Sequence, residues 1–173
     1  DQTYRDDTFV IPNAVYTGTA DALVEPSPLK LTAFEMRRTE KLPMGTSMWE
    51  LDICFIPLPM SLGEEEGTFF PKMIIAIDVK SEEILLAEAI QEKTEEVQRI
   101  FLQRMLQRGV KPPRVILCMS RADKITVLLG AVARKVGVEI TAVQKLPLIA
   151  TFQAEMVLFF NEYIKNKENE HKS

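Results

Sequence analysis

Carboxylates are the only side chains in this sequence whose number and placement could support catalysis. The single histidine, His171, is the third residue from the C-terminus and lies in a polar run. The sequence therefore excludes a serine or cysteine nucleophile paired with histidine, a histidine general base and a zinc site with two histidine ligands. The two cysteines cannot form a four-thiolate site, and the seven glycines are too scattered for a P-loop or a GxGxxG turn. Any chemistry falls to Asp and Glu.

The composition is that of one domain of ordinary size. The chain has 173 residues, 46% hydrophobic and 27% charged, which is enough to bury a core. With 21 basic and 25 acidic residues the net charge is −4, so nothing attracts a polyanion and we expect no nucleic-acid partner. There is neither an apolar run near the roughly 20 residues of a membrane span nor a signal pattern, so we expect a cytoplasmic protein with no membrane partner.

The first part of the chain shows no sustained period of 2 or 3.6. Seven of the ten prolines fall within the first 71 residues, and only residues 9–11 and 29–34 alternate enough to predict short strands. We therefore predict an irregular N-terminal arm over residues 1–48, a domain over 49–165 and a polar tail over 166–173. Because the chain starts with Asp1, we expect a processed chain or a piece of a longer polypeptide.

The remaining elements follow from hydrophobic patterning. Residues 49–56, 72–79 and 84–90 predict three strands, and the short turn 80–83 predicts an antiparallel hairpin within a meander. An acidic loop, 61–67, separates the first two. Then come a helix that Thr94 caps and Gly109 stops, and a buried strand over 114–119. A helix over 124–136 capped by Ser120 or Asp123, a strand over 138–143 and a helix over 148–167 follow. The order is β-β-β-α-β-α-β-α, a mixed α/β domain.

That order resembles the ribonuclease H-like fold, which includes the integrase and transposase cores. Residues 49–53 (WELDI) are similar to the first strand of integrases, in which an Asp just after a Trp holds a metal ion. Residues 75–78 (IAID) resemble the second strand, and residues 137–140 (GVEI), followed by Glu155, resemble the stretch that leads to the last acidic residue. The likeness covers residues 49–163.

A second resemblance, the closer one, reaches further upstream. Residues 37–43 (RRTEKLP), the following Trp49-Glu50 and residues 57–59 (PLP) are similar to an uncharacterised bacterial domain family of unknown function. That family sits in multidomain proteins, so the likeness implies a larger parent protein. It supplies no active site.

The first resemblance implies a catalytic site built on Asp52 and Glu155. Two-metal phosphodiester cleavage needs three or more converging carboxylates. The middle acid should end the strand over 114–119, where this chain has Ser120 instead. We therefore predict a degenerate, vestigial site. The competing interpretation of Asp52 is a polar strand-end residue satisfied by backbone donors or a basic partner, and that of Glu155 is an edge position on its helix.

Four other residues are predicted to have structural roles. Trp49 should anchor the core, and Asp78 should start the hairpin turn. Cys54 shares strand parity with Asp52, as Cys118 does with Ser120, so we expect two reduced thiols close together beneath the site.

Three functions follow as hypotheses. The leading one is a non-catalytic interaction or scaffold module that contacts a protein partner or neighbouring domain and needs no cofactor. The alternative is a phosphodiesterase that uses Mg²⁺ or Mn²⁺ on Asp52, Glu155 and an unorthodox third ligand. The third is small-molecule binding at the carboxyl ends of the parallel strands, where open α/β sheets hold ligands.

Overall fold

The computed structural model describes residues 9–10, 33–61, 67–91 and 93–172. Most of the acidic loop 61–67 lies outside them. The elements in chain order are β1 (Phe9–Val10), α1 (Ala33–Glu40), β2 (Trp49–Phe55), β3 (Met60–Ser61), β4 (Thr68–Phe69), β5 (Lys72–Asp78), β6 (Ile84–Ile90), α2 (Thr94–Arg108), β7 (Arg114–Cys118), α3 (Met119–Val136), β8 (Glu139–Val143) and α4 (Pro147–His171). Among these helices none is both long and apolar enough to cross a membrane.

Six of the strands form one mixed sheet in the order β1-β8-β7-β2-β5-β6. β2, β5 and β6 are antiparallel neighbours, which confirms the predicted meander. On the other side of β2, β7 runs parallel to it and β8 runs parallel to β7, while β1 pairs antiparallel with β8. β3 and β4 pair separately. The mixed α/β class is confirmed, and so is the predicted order of the elements from β2 onward, apart from the short strands β3 and β4, which were not predicted.

The sheet divides the core into two apolar layers because successive side chains of a strand point to opposite faces. Trp49, Leu51 and Ile53 of β2 pack on the side of α1, α2 and α3. The opposite layer contains Ile75 and Ile116 and packs against the start of α4. Trp49 is 2% exposed and meets the ring of Phe101 edge-on at a centroid distance of 6.2 Å, so its predicted core role is confirmed.

Three residues complete the C-termini of the helices. α2 and α3 end at Gly109 and Gly137, as predicted, and both glycines have the left-handed conformation that costs an L-residue energy. The buried Lys111 ammonium donates to the backbone carbonyls of Glu40 and Val136, at 2.7 and 2.8 Å. One side chain therefore satisfies the last carbonyls of both α1 and α3.

The predicted helix N-caps are wrong. α2 already includes Thr94, which is buried, and α3 begins at Met119, so Ser120 and Asp123 lie inside its first turns. Neither helix has a side-chain cap. The reason in α3 is that β7 continues into the helix with no intervening loop. α4 also runs further than predicted, to His171, into the segment assigned to the polar tail.

The predicted strand over 29–34 is wrong at its described end, since Phe34 belongs to α1; residues 29–32 lie outside the described residues. The two large apolar residues of this short helix, Phe34 and Met36, are two positions apart, so the segment shows no helical period. Met36 is buried in the core, and α1 contacts α2 and α3. The boundary between arm and domain at residue 48 stays a prediction.

Candidate functional site

β2 carries two buried carboxylates on the face that looks toward α4. Glu50 and Asp52 are both fully buried, and Cys54 follows them on the same face, packed against the layer beneath α4. Because an unpaired charge in such a place is very costly, each carboxylate needs a dedicated partner. The two acids have partners of different kinds.

The partner of Asp52 is a guanidinium. Arg121 donates from Nε to Oδ1 at 2.6 Å and from Nη2 to Oδ2 at 2.5 Å, and the backbone N–H of Ile53 also donates to Oδ1, at 2.9 Å. Arg121 reaches Asp52 because β7 lies parallel beside β2 and α3 starts directly at its end. Hydrogen bonding to Asp52 raises the pKa of Arg121 further above its usual value, against the effect of burial. These contacts match the competing interpretation of Asp52, a polar strand-end residue satisfied by backbone donors or a basic partner.

The residues at this position do not fit a two-metal centre. Both oxygens of Asp52 are engaged by a cation. Ser120 stands where the resemblance places the middle acid and lies 3.3 Å from the Cys118 thiol, while Glu155 is exposed on α4. Across the described ranges no three His, Cys, Asp or Glu side chains gather so as to hold a metal ion. The assignment of Asp52 and Glu155 as a vestigial catalytic site stays a prediction.

Glu50 accepts hydrogen bonds from the backbone of α4. Its carboxylate accepts the N–H of Leu148 at 3.2 Å and that of Ile149 at 3.0 Å. These are the orphan donors of the first turn of α4, which has no side-chain cap of its own. The negative charge also complements the positive end of the helix dipole. Sequence reasoning missed this role, although an acid at position 50, between Trp49 and Leu51 in a strand, was a visible signal.

A cavity of about 290 Å³ opens beside Arg121, at the carboxyl end of β2. The residues around it come from β2, β5, α3 and α4: Ile53, Cys54, Phe55, Lys72, Arg121, Lys124, Ile125 and Gln153. Its charged members among the described residues are Lys72, Arg121 and Lys124, and the Lys72 ammonium lies 5.1 Å from the centre of the Phe55 ring. Sequence reasoning missed the three cations because no periodicity links residues of separate elements. A cavity at this end of the parallel strands is where the third hypothesis places a ligand.

The thiol of Cys54 lines the cavity as a neutral group. Burial raises its pKa above the ordinary value; the nearby Asp52 raises it too, while a hydrogen bond with Gln153 and the charge of Arg121 oppose the rise. Both cysteines are free, both pack on the α4 side of the sheet, and both contribute to the electrostatic environment of Arg121.

Asp78 has the turn role that its sequence position predicts. Its Oδ1 accepts the hydroxyl of Ser47 at 2.7 Å and the backbone N–H groups of Lys80 and Ser81 at 3.0 and 2.8 Å. Burial alone would raise the pKa of Asp78, but these hydrogen bonds outweigh it and lower the pKa below its ordinary value. The residue pins the β5–β6 hairpin.

The second half of α4 presents apolar side chains to solvent. Ile149 is the one fully buried residue among those described in α4, and Phe152 and Met156 are half-buried against the core. Beyond them Leu158 and Phe159 are 66% and 63% exposed, and Val157 and Tyr163 are also exposed. The apolar side chains of α4 thus fall into a packed first half and an exposed second half.

Comparison with known proteins gives a family match and a distant structural likeness. Residues 35–157 match the family "Domain of unknown function (DUF6930)". No curated protein matches the chain. The magnesium-bound catalytic core of HTLV-2 integrase in its dimeric form is 12% identical, with 73% of this chain and 77% of that chain covered at a TM-score of 0.49. The trimeric form is 14% identical, at 75% and 77% coverage and a TM-score of 0.48.

A simian T-cell lymphotropic virus intasome structure, in complex with PP2A regulatory subunit B56 gamma, gives a chain that is 14% identical with a TM-score of 0.48. The match covers 72% of this chain but only 43% of that one, so this chain corresponds to less than half of the intasome chain.

Proposed function

Since this chain belongs to the DUF6930 family of domains of unknown function, we propose a role from its own residues: a non-catalytic domain of a larger protein that works by contacting protein. The overall charge supports a protein partner, because a net charge of −4 does not favour nucleic acid.

The Asp52–Arg121 pair carries this proposal. A bidentate guanidinium supplies the buried carboxylate with the positive charge and the hydrogen bonds that it requires. A divalent ion would have to displace a partner that the protein itself provides. Without a middle acid at Ser120, the remaining carboxylates would hold two ions poorly.

The exposed half of α4 supports protein contact. Leu158, Phe159 and Tyr163 lie on its surface, in a segment (157–172) that carries three acidic and three basic residues. A surface that is apolar and electrically balanced favours a partner with the same properties. A second copy of α4 has both, and we take it as the contacting partner.

Metal titration tests the absence of catalysis. Thermal unfolding of the wild type and of Asp52→Asn should shift equally little with Mg²⁺ or Mn²⁺, and neither protein should cleave single-stranded or duplex DNA. A Mn²⁺-dependent rise in the melting temperature that Asp52→Asn abolishes, together with metal-dependent cleavage, would overturn the proposal in favour of the phosphodiesterase.

Sedimentation velocity tests the contact. Over a concentration series into the hundreds of micromolar, the wild type should pass from monomer to dimer, and the double variant Leu158→Lys/Phe159→Lys should remain monomeric with an unchanged circular dichroism spectrum. The matched control is Phe34→Lys, since Phe34 is 67% exposed on α1 and should leave the dimer intact. A wild type that is monomeric throughout refutes self-contact through α4.

A further inference from the structure

We propose that the open edge of β6 binds an extended segment of a partner protein by strand addition. The segment lies antiparallel to β6, with an apolar residue opposite Ala87, an acidic residue opposite Leu86 and a basic residue opposite Glu88. This surface is separate from the exposed half of α4, and it rests on the proposed function only in that the partner is a protein.

The backbone pairing of β5 determines which groups of β6 point out of the sheet. The N–H of Val79 donates to the carbonyl of Met48 at 2.9 Å, and the N–H of Ile56 donates to that of Pro71 at 2.7 Å. These bonds continue the β2–β5 ladder at both ends, so the odd-numbered residues of β5 pair with β2. Its even-numbered residues therefore direct their N–H and C=O groups toward β6.

Alternate residues of β6 consequently direct their backbone groups away from β5. Leu86 and Glu88 lie opposite even-numbered residues of β5, so their groups are used within the sheet. Those of Ala87 and Ala89 point outward, both residues are exposed, and β6 is the last strand on its side of the sheet in the described part of the chain. The next N–H of this parity, that of Gln91, donates to a carboxylate of α2 at 3.2 Å. The open stretch therefore ends at Gln91.

The sequence of β6 lacks the usual protection of an edge strand. Such strands are commonly blocked by proline, by lysine or by a bulge. β6 (ILLAEAI) contains neither proline nor lysine and has a single charged residue. Its one irregularity is at its start, beside Ala76 and Ile77 of β5. An apolar edge of this length can accept another strand, and main-chain hydrogen bonds then supply much of the affinity.

The face of β6 on the α4 side has room for apolar side chains. Ala87 and Ala89 lie opposite Ile75 and Met73, which belong to the apolar layer beneath α4. α4 itself lies over β2 and β5, and the two alanines remain exposed. Because a methyl group covers little of the sheet, a valine or isoleucine of an added strand can pack beside it.

Arg104 supplies a charge on the opposite face of this edge. α2 runs back along β6, since its last residue, Arg108, binds Glu83 just before the start of that strand, at 3.1 Å. Arg104 lies one turn earlier on the same flank, about 6 Å back, which is near the level of Leu86. Its Nε is buried without a hydrogen-bond partner in the described structure, while Nη1 donates to Gln107 at 3.2 Å. An acid opposite Leu86 would accept from this guanidinium.

Glu88 completes the charge pattern. It is exposed and shares the α2 side of β6 with Leu86, since their β5 partners both belong to the core layer on that side. Opposite charges on facing residues of two strands stabilise the pair, so a basic residue fits opposite Glu88. Read along an antiparallel partner, the recognised pattern is basic, apolar, acidic.

Nuclear magnetic resonance titration with a blocked peptide, acetyl-Val-Lys-Val-Glu-Val-amide, tests strand addition. At concentrations up to the millimolar range the peptide should give saturable shifts in the amide signals of Ala87 and Ala89. N-methylation of its central valine removes the donor to Ala87 and should weaken binding about tenfold. The matched control is N-methylation of its lysine, whose N–H points away from β6, and this peptide should bind as the parent does.

Arg104→Met tests the charge pattern. It should weaken binding of the parent peptide about fivefold and leave unchanged the binding of a peptide with glutamine in place of glutamate. The matched control is Arg99→Met, which removes another cation of α2 that pairs with Glu95, and it should bind as the wild type does. The α4 double variant should also bind normally, so failure here and failure of dimerisation are separate results.

Several results would overturn the proposal: equal affinity for the parent peptide and its central N-methyl form, equal weakening of both peptides by Arg104→Met, or shifts that map away from β6. The absence of saturable binding at millimolar concentration would do the same. Dimers of the α4 double variant that the peptide dissociates would assign the edge to a second copy of this chain instead of a partner segment.

Discussion

Glu50 and Asp52 are two residues apart on one strand, on one face, and equally buried, yet they interact with different parts of the protein. Glu50 accepts the backbone N–H groups that begin α4. Asp52 binds the guanidinium of Arg121. The Arg121 side chain is 43% exposed and borders a cavity. An acid in a strand core can therefore be purely architectural or can orient a cation at an opening, and its burial does not distinguish the two.

The difference also concerns what each partner can do when its acid is removed. The N–H groups of Leu148 and Ile149 cannot turn toward water, because the start of α4 packs against the sheet. The side chain of Arg121 is long and half exposed, so it can turn toward water. Removing Glu50 should therefore cost more than removing Asp52, and the variants below are ordered from the largest expected effect to the smallest.

Replacing Glu50 should cause the largest loss of stability. Glu50→Ala leaves two N–H groups without an acceptor and opens a void, so the free energy of unfolding should fall by about 3–5 kcal/mol. Glu50→Gln keeps one acceptor oxygen and should lose roughly half as much. Urea unfolding at constant m-value measures both.

The matched control for Glu50 is Glu88→Gln, on the exposed side of β6. It should change stability by less than about 0.5 kcal/mol. If the free energy of unfolding of Glu50→Ala lay within about 1 kcal/mol of the wild-type value, the inference that Glu50 caps α4 would be wrong. Should Glu50→Ala fail to fold, Glu50→Gln still provides the measurement.

The Asp52–Arg121 pair should respond asymmetrically. Arg121→Met leaves the buried carboxylate with only the Ile53 N–H and should cost about 2–3 kcal/mol, less than the cost of breaking a fully buried pair because Arg121 is partly exposed. Asp52→Asn should cost about 1 kcal/mol, since the guanidinium can be solvated. A double-mutant cycle in urea separates the pair from its surroundings. Equal losses in the two single variants would contradict the asymmetry.

Much of the fold could be predicted because its strands have strong local signals. β5 and β6 are apolar runs of seven residues that flank a short turn, and β7 is continuously apolar after its first residue, as a strand covered on both faces should be. The short helix α1 was missed because eight residues with only two large apolar side chains carry no clear period. The predicted cap of α3 is wrong because β7 passes into that helix without a loop.

The candidate site could be predicted only in part. Asp52 was identified from its strand and its resemblance, with a basic partner among the interpretations, but Arg121 itself was not, since it lies 69 residues away in the chain. The contact depends on β7 being parallel to β2, and the sequence does not indicate which of several basic residues the helix then presents. The cavity was placed only generally, at the ends of the parallel strands, because its cations belong to different elements.

Asp78 gives a smaller effect than Glu50 or Arg121 and the most pH-dependent one, and it extends the comparison to a third buried acid. Its acceptor bonds hold the β5–β6 turn, so Asp78→Asn should lower the free energy of unfolding by about 1–2 kcal/mol at pH 7.

Hydrogen bonds lower the folded-state pKa of Asp78. A lowered pKa stabilises the fold above the unfolded value of about 3.9 and loses that stabilisation as pH falls through the folded value. The difference between the wild type and Asp78→Asn should therefore be constant from pH 7 to about 5 and shrink below about 4. Urea unfolding across that range measures it, with Glu88→Gln as the control whose difference from the wild type should stay small throughout. A gap that widened on acidification would mean that Asp78 does not act through its ionised hydrogen bonds.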